Sequence, residues 1–284
     1  MNLTVHQTIG TFLAETEAIL SQNEVTNGLI LGVALRLKQD PARFEHAPYL
    51  ATVHDGADLA AAGLMTPPHG LVVYARPGDP APAMRLLAAD VVAGGWPLPT
   101  VNGVVDVSQA FAGAWQALTG GTVTVAIAMR VFELREVASP AGGAGSLRCA
   151  TPADLDQVFA WATAFRDEAI PSDAPPKREL LARSIADENV YLWEDGGQVV
   201  SIAAKGRRTA HGVSVGLVYT PPELRGRGYA SACVAALSQV ILDQGAGFCT
   251  LFTDLANPTS NSIYQKIGYR PVCDFTQFAL NSRG

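Results

Sequence analysis

The spacing of apolar residues predicts two helices early in the C-terminal half of the chain. Over residues 155–165 apolar side chains recur at helical spacing, which places them on one buried helix face. Thr151 and Pro152 precede this segment, and a hydroxyl followed by a proline is typical of a helix start. The composition of residues 177–188 predicts the second helix.

Beyond residue 189 the spacing changes to short apolar runs broken by turn residues, a pattern that predicts β-strands. The predicted strands cover 190–193, 198–204 and 213–219, with turns at 195–197 and 205–208. Three such strands in succession favour an antiparallel meander. The remaining predicted elements are a long helix after Gly228 that ends by Gly245 and Gly247, a strand over 248–253, a helix from Pro258 to Gly268, and a strand over 269–280 that closes the sheet.

The first half of the chain repeats this order weakly. Tyr49-Leu50 and Asp55-Gly56 echo Tyr191-Leu192 and Asp195-Gly196, and residues 71–74 echo 216–219. We therefore expect an α/β (α+β) chain of two similar domains, each a mixed, mostly antiparallel sheet flanked by helices. The small, flexible residues 139–146 predict a linker between domains 1–138 and 147–284.

Composition narrows the class of protein. A net charge of −6 disfavours a nucleic-acid partner, because phosphate backbones need a concentrated basic surface. The apolar runs fall short of the roughly 18 residues that cross a bilayer, and the first twenty residues lack the pattern of a secretion signal. We therefore expect a cytoplasmic protein without membrane contact. The four cysteines, 149, 233, 249 and 273, show no metal-ligand spacing, so no metal is expected.

The positive charges are unevenly distributed between the two halves. Residues 1–145 carry 7 Lys and Arg against 12 Asp and Glu, whereas residues 146–284 carry 13 against 14. A phosphorylated small ligand would therefore find most of its cationic partners in the second half.

Residues 215–230 hold the clearest candidate for a binding site. The segment runs from a predicted strand through a glycine-containing turn directly into a predicted helix. Main-chain N–H groups converge at such a helix start, and the helix dipole adds about half a positive charge there. We predict a diphosphate site whose ligands are Arg225, Gly226, Arg227, Gly228, Tyr229 and Ala230.

The corresponding turn of the first half lacks these features. It follows residue 74 and contains prolines and Asp79 where the second half has Arg-Gly-Arg-Gly. Prolines remove N–H donors and a carboxylate repels anions. This copy is predicted not to bind phosphate.

Two segments together resemble a known family. Arg225, Gly228 and Ala230 form the pattern Arg-x-x-Gly-x-Ala after an apolar strand, which is similar to the acyl-CoA pyrophosphate loop of the GNAT superfamily of N-acetyltransferases. Residues 257–269 resemble the same superfamily's Asn-x(6)-Tyr-x-x-x-Gly-Phe/Tyr segment. The resemblance covers about 140 residues from Ser146 onward. It implies two tandem GNAT-like domains, the first one degenerate, and acetyl-CoA as the acyl-donor substrate.

The resemblance also implies how the donor is held. The strands over 215–219 and 248–253 would separate, so that main-chain groups of Leu217, Val218 and Tyr219 pair with the pantetheine arm. An N–H near Val218 or Tyr219 would then face the thioester oxygen and stabilise the oxyanion. Asn257 is a further cofactor-binding candidate, although capping of the helix after it explains the residue equally well.

Three residues are candidates for proton transfer. Tyr264 is predicted to be the general acid that protonates the departing thiolate, although an aromatic residue beside Ile263 and Ile267 is also typical of a core position. Asp254 and Glu168 are candidate bases for the attacking amine; each could instead be a solvated or capping carboxylate.

The sequence therefore predicts an N-acyltransferase that moves an acetyl group from acetyl-CoA to a primary amine by direct attack on the thioester. A small-molecule acceptor is favoured over a protein, and the chain could be a monomer or a homodimer. A non-catalytic acyl-CoA sensor module is the main alternative. A nucleotide-binding protein is a second alternative, against which the absence of Gly-x-x-x-x-Gly-Lys-Ser/Thr counts.

Overall fold

The computed structural model describes residues 1–138, 144–171 and 173–282. They form two compact units: the first contains Met1–Val131 together with the residues from Cys273 onward, and the second contains Phe132–Val272. The chain thus passes between units at residues 131–132 and again at 272–273. Of the predicted linker 139–146, residues 139–143 lie outside the described residues.

The first unit contains an antiparallel sheet with one parallel pair. Its elements are β1 (Asn2–Val5), α1 (Ile9–Leu20), α2 (Glu24–Gln39), β2 (Tyr49–Asp55), β3 (Asp58–Met65), β4 (Leu71–Ala75), α3 (Ala81–Ala93), β5 (Thr100–Val104), α4 (Val105–Thr119) and most of β6 (Thr122–Leu134). Strands β1 to β4 are antiparallel neighbours, and β4 pairs in parallel with β5.

The second unit repeats the same order of strands and helices. Its elements are β7 (Ser146–Cys149), α5 (Leu155–Ala169), α6 (Arg178–Ala186), β8 (Val190–Asp195), β9 (Gln198–Arg208), β10 (Gly212–Tyr219), α7 (Tyr229–Asp243), β11 (Phe248–Asp254), α8 (Pro258–Ile267) and the start of β12 (Arg270–Asn281). Strands β7 to β10 are antiparallel neighbours. The predicted meander and the predicted similarity of the two halves are confirmed.

Helices cover both faces of the second unit's sheet. Each helix has its apolar residues on one side, and that side packs against the sheet. α7 buries Cys233 and Leu237 in a cluster with Trp193 of β8. α5 buries Val158 in a separate cluster with Ile202 of β9. Apolar side chains on the two faces of a strand alternate, so one sheet supplies both clusters. None of the described helices combines the length and the apolar character that crossing a membrane requires.

The predicted turn over 205–208 was wrong. β9 continues through Arg208, and the turn lies after it, where the N–H of Thr209 donates to the carbonyl of Gly212 at 2.9 Å. Lys205 pairs with Val215 and Arg208 with Val213, and the register shifts between these two pairs, so the strand continues through the polar residues with a local irregularity. A strand of this length with charged side chains is stable because its main chain is hydrogen-bonded on the β10 side.

The last strand also differs from its prediction, which had it close the sheet of the second half. From Cys273 onward β12 belongs to the first unit, and residues 275–279 pair antiparallel with β5. Leu280 lies in the first unit's core, and its N–H donates to the carbonyl of Pro99 at 2.9 Å. The compact units therefore end at other positions than the predicted ranges 1–138 and 147–284.

Candidate acyl-donor site in the second unit

Strands β10 and β11 pair only at their beginnings. Parallel pairs join residues 212–214 to 248–250, and the described residues contain no later pair between the two strands. Past Ser214, β10 has no strand partner on its β11 side. Its N–H and C=O groups there are available to an extended ligand, which can pair with them as another strand would.

A β-bulge changes the direction of β10 within this unpaired part. Leu217 has φ of 50°, a left-handed conformation that is uncommon for a residue with a side chain, and the register with β9 shifts between Gly216 and Tyr219. A bulge turns the peptide groups of its strand out of the regular ladder. Residues 216–219 are only half-buried, so these peptide groups lie near the surface.

The turn after β10 presents a row of unpaired N–H groups at the start of α7. Gly228 precedes the helix with φ of 82°, and the N–H of Ala232 is the first to bond back, to the carbonyl of Gly228 at 3.0 Å. Within the described part of the chain the N–H groups of residues 226–231 donate to no other group. Unpaired amides at a helix N-terminus form an anion site.

The backbone conformation at positions 226 and 228 favours glycine, whereas the space around these positions would admit a larger side chain. Their φ angles are 76° and 82°, and a Cβ placed on either one would meet no atom within 4 Å. The space in front of the turn is therefore open to a ligand, while the left-handed conformation disfavours any residue with a side chain.

Arg225 lies beside this turn but points back toward the protein. Its Nε–H donates to the carbonyl of Thr220 at 2.9 Å, and a terminal nitrogen donates to Glu168 at 2.7 Å. The guanidinium also lies over the ring of Tyr219, 5.7 Å from the centroid. The structure thus brings together two predicted site residues, Arg225 and Glu168, and pairs them with each other.

Comparison with known proteins shows the fold of the chain. Residues 196–277 match the FR47-like protein family. Three solved structures resemble the whole chain: an acetyltransferase of the GNAT family from Colwellia psychrerythraea (TM-score 0.60, 10% identity, 100% of both chains), a GCN5-related N-acetyltransferase from Sphaerobacter thermophilus (0.61, 15%, 99% of this chain and 96% of that one), and a tandem GNAT protein from the clavulanic acid biosynthesis pathway (0.57, 16%, 100% and 98%). No curated protein matches the chain in sequence.

The chain has a tandem GNAT fold. This confirms the resemblance predicted from residues 225–230 and 257–269 and the predicted GNAT-like fold of the first half. At such identities the similarity defines the fold and leaves open which molecules are bound.

Tyr264 lies inside the second GNAT unit. Its side chain is 9% exposed in the cluster that also contains Ile267, and its ring contacts that of Tyr269 edge-on, with centroids 5.9 Å apart. Burial raises the pKa of Tyr264 to about 12. Among the described residues no group accepts or donates a hydrogen bond at its hydroxyl. Tyr264 is therefore a core residue that still carries a protonated, unpaired phenol.

Asp254 and Asn257 both stabilise the turn between β11 and α8. Oδ1 of Asp254 accepts from the N–H of Ala256 at 2.8 Å. Oδ1 of Asn257 accepts from the N–H of Ser260 at 3.0 Å, which caps α8. The capping alternative considered for Asn257 is thus present in the structure. Asp254 forms no ion pair within the described residues.

The other residues of the predicted loop have separate roles. The hydroxyl of Tyr229 donates to Asp195 at 2.7 Å and so ties the first turn of α7 to the hairpin between β8 and β9; this bond raises the pKa of Tyr229. Arg227 and Gly226 are exposed, and Ala230 is half-buried. Arg227 is therefore the loop arginine that faces solvent.

Sequence reasoning missed Ser201 and Thr220. The hydroxyl of Ser201 donates to the carbonyl of Tyr219 at 3.1 Å and lies 2.9 Å from the hydroxyl of Thr220. The available signal was weak: one serine inside an otherwise apolar strand.

The equivalent helix start in the first GNAT unit is already occupied. Oδ1 of Asp79 accepts from the N–H of Ala81 at the beginning of α3, at 3.0 Å, and Pro80 supplies no N–H. Arg76 pairs with Asp55 at 2.7 Å. These contacts support the prediction that this copy binds no phosphate.

Proposed function

We propose that the second GNAT unit transfers an acetyl group from acetyl-CoA to a primary amine. The single observation that carries the proposal is the row of unpaired N–H groups over residues 226–231 at the start of α7, next to the unpaired part of β10. A diphosphate suits the first feature, and an extended arm with amide groups suits the second. CoA contains both.

The donor is proposed to bind in one orientation. Its diphosphate contacts the amides of Gly226 and Gly228 and the side chain of Arg227, and its pantetheine arm pairs with Leu217, Val218 and Tyr219. The thioester carbonyl then points toward the amides of the bulge. A main-chain N–H there stabilises negative charge on the carbonyl oxygen as the amine nitrogen bonds to carbon.

Proton transfer is proposed to complete the reaction. The C–S bond breaks, the thiolate takes a proton from Tyr264, and the amine nitrogen releases one to a base. Burial keeps the pKa of Tyr264 at about 12, so the phenol holds its proton at neutral pH. Of the two candidate bases, Asp254 is the better one, because it is the last residue of β11, in the part of that strand that no longer pairs with β10, and forms no ion pair in the described part of the chain. Glu168 is engaged by Arg225.

A non-catalytic acyl-CoA sensor is the second candidate function. It is favoured by the structural roles of both candidate bases, since Glu168 pairs with Arg225 and Asp254 accepts from Ala256. Such a module would use the same amides and turn nothing over. We retain the enzyme because the phenol of Tyr264 keeps its proton at neutral pH and has no hydrogen-bond partner among the described residues, which leaves it able to donate to a departing thiolate.

Thermal unfolding with acetyl-CoA tests whether the protein binds acetyl-CoA, which both candidate functions require. At a hundred times the dissociation constant the ligand should add about 2.7 kcal/mol to the free energy of unfolding. ATP at the same concentration is the control and should add far less. Absence of any shift with acetyl-CoA would refute both functions.

Release of the CoA thiol in the presence of primary amines distinguishes the enzyme from the sensor module. We expect turnover of acetyl-CoA with at least one small amine from a panel of L-lysine, spermidine, glucosamine and tyramine. Binding without turnover across a wider set of small amines and lysine peptides would identify the sensor. We also propose that the acceptor is a small molecule. The protein is proposed to be a monomer or a homodimer, and its molar mass from light scattering checks this.

A further inference from the structure

The end of β10 is held by side-chain hydrogen bonds rather than by a regular ladder. Beyond the bulge at Leu217 the described register with β9 contains one pair, Tyr219 with Ile202. On its other side β10 has no strand partner past Ser214. Without further contacts this segment would be free to change its peptide orientations, because strand geometry is set by the ladder.

Ser201 supplies the first of these contacts. It is fully buried in β9, and its Oγ–H donates to the carbonyl of Tyr219 at 3.1 Å. Its oxygen also lies 2.9 Å from the hydroxyl of Thr220. A serine has one proton to give, so the hydroxyl of Thr220 must be the donor in the second bond. Both hydroxyls are thereby used, and the direction of each bond is fixed.

Arg225 supplies a second contact one residue later. Its Nε–H donates to the carbonyl of Thr220 at 2.9 Å, and Glu168 holds the guanidinium in place. Ser201 therefore holds the carbonyl of Tyr219, and Arg225 holds the carbonyl of Thr220. The carbonyl of Tyr219 and the N–H of Thr220 belong to the same planar peptide group, so fixing the carbonyl also fixes the direction of that N–H. It also restricts rotation of the preceding peptide group, which contains the N–H of Tyr219.

The same serine lies close to the interior of α7. Cys233 of α7 is also fully buried, which raises the pKa of its thiol to about 12, and Ser201 lies close enough to offset part of that rise. Ser201 thus lies between the open end of β10 and the helix that carries the anion site, with no exposure to solvent.

We infer that Ser201 is a positioning residue for acyl transfer: with Thr220 it holds the peptides at the open end of β10 in the orientation that receives the thioester carbonyl. The inference rests on the proposed function. Ser201 acts through the main chain and touches neither the donor nor the acceptor. It should therefore affect recognition of the acyl group and turnover, but not binding of the CoA diphosphate.

The experiment compares Ser201→Ala and Thr220→Val with a matched control, Ser238→Ala. Ser238 is equally buried in the same unit, and its hydroxyl lies 2.8 Å from that of Tyr269, far along α7 from the anion site. For each variant we would measure the dissociation constants of acetyl-CoA and of free CoA by calorimetry, the turnover with the best amine of the panel, and the melting temperature.

Ser201→Ala and Thr220→Val should weaken binding of free CoA only slightly, because the amides of 226–231 that hold its diphosphate are untouched and the loosened peptides at Tyr219 hold only the end of its pantetheine arm. Their preference for acetyl-CoA over CoA should fall, and kcat should drop by about tenfold or more, as expected when an oxyanion donor is misplaced. Ser238→Ala should lose a similar amount of thermal stability and keep kcat. Should Ser201→Ala fail to fold, Thr220→Val alone provides the comparison.

The outcomes separate the role of Ser201 from the proposed acyl transfer. Equal kcat values and equal ratios of the two dissociation constants in Ser201→Ala, Thr220→Val, Ser238→Ala and the wild type would overturn the role of Ser201. A wild-type protein that releases no thiol with any amine would overturn the proposed function and this inference together. Selective loss of acyl recognition in the β9 and β10 variants would support both.

Discussion

The guanidinium of Arg225 and the carboxylate of Glu168 lie 2.7 Å apart, although 57 residues separate them in the chain. The pair joins the turn before α7 to the end of α5. Both side chains are about half exposed, 43% and 53%, so water screens the pair and its contribution to stability is less than about 1 kcal/mol. Its importance is the orientation it gives Arg225, which in turn holds the carbonyl of Thr220.

Substitution of Glu168 by Gln should therefore have little effect on turnover. The amide can still accept a hydrogen bond from Arg225, and we expect kcat to change by less than about threefold and stability by less than about 1 kcal/mol. The matched substitution Asp254→Asn removes the better candidate base and should lower kcat by about 100-fold. Steady-state rates of thiol release across pH check both. A larger loss in Glu168→Gln than in Asp254→Asn would reverse the assignment.

Substitution of Tyr264 by Phe should separate catalysis from binding. We expect kcat to fall by about 100-fold or more with an unchanged dissociation constant for acetyl-CoA, because the phenol is needed only when the thiolate leaves. Stability should be retained, since the hydroxyl has no partner in the described residues. Unchanged turnover in Tyr264→Phe would leave the tyrosine with its packing role alone.

The pH dependence of the wild type gives an independent check on Tyr264. Burial raises its pKa from 10 to about 12, so the phenol keeps its proton through the range in which an exposed tyrosine ionises. Turnover should accordingly show no loss between pH 8 and pH 10 from this group. For the same reason the contribution of the buried neutral phenol to stability is complete below about pH 10 and declines as the pH rises toward 12.

Substitution of Gly228 by Ala should abolish donor binding. Gly228 has φ of 82°, where an added Cβ costs about 1–2 kcal/mol or shifts the turn and its amides. Gly197→Ala is the matched control, because Gly197 has φ of 79° in an exposed hairpin with equally open surroundings. Both variants should lose similar stability, but only Gly228→Ala should lose the acetyl-CoA-induced rise in melting temperature. Equal ligand responses would mean that the turn is not the anion site.

The chain should bind acetyl-CoA at one site only. In the first GNAT unit Asp79 occupies the N–H of Ala81, and Pro80 has none to offer, so an anion meets a carboxylate instead of free amides. Calorimetry should give one molecule bound per chain, and Gly228→Ala should remove all of the binding rather than half of it. Two molecules per wild-type chain would show that the first unit had kept a donor site.

Local patterns predicted most of the elements that form the candidate site. The helix from Pro258 to Gly268, the long helix after Gly228 and the strands before them follow from periodicity, capping residues and glycines, all of which act within a few residues along the chain. The candidate anion site could be predicted for the same reason, since a helix start and its unpaired amides are adjacent in sequence. The prediction that the first copy binds no phosphate rests on equally local features, Asp79 and the prolines beside it.

Only the tertiary structure decided which distant groups meet. The sequence of β12 predicts a strand, but nothing in it states that the part beyond Cys273 pairs with β5 of the first unit, because the same alternation fits any open sheet edge. The bulge at Leu217 and the bonds of Ser201 and Arg225 to the peptides that follow it depend on three segments folding against one another. The sequence alone thus predicts a candidate anion site, whereas the orientation of the peptides at the end of β10 depends on contacts between residues far apart in sequence, which periodicity does not encode.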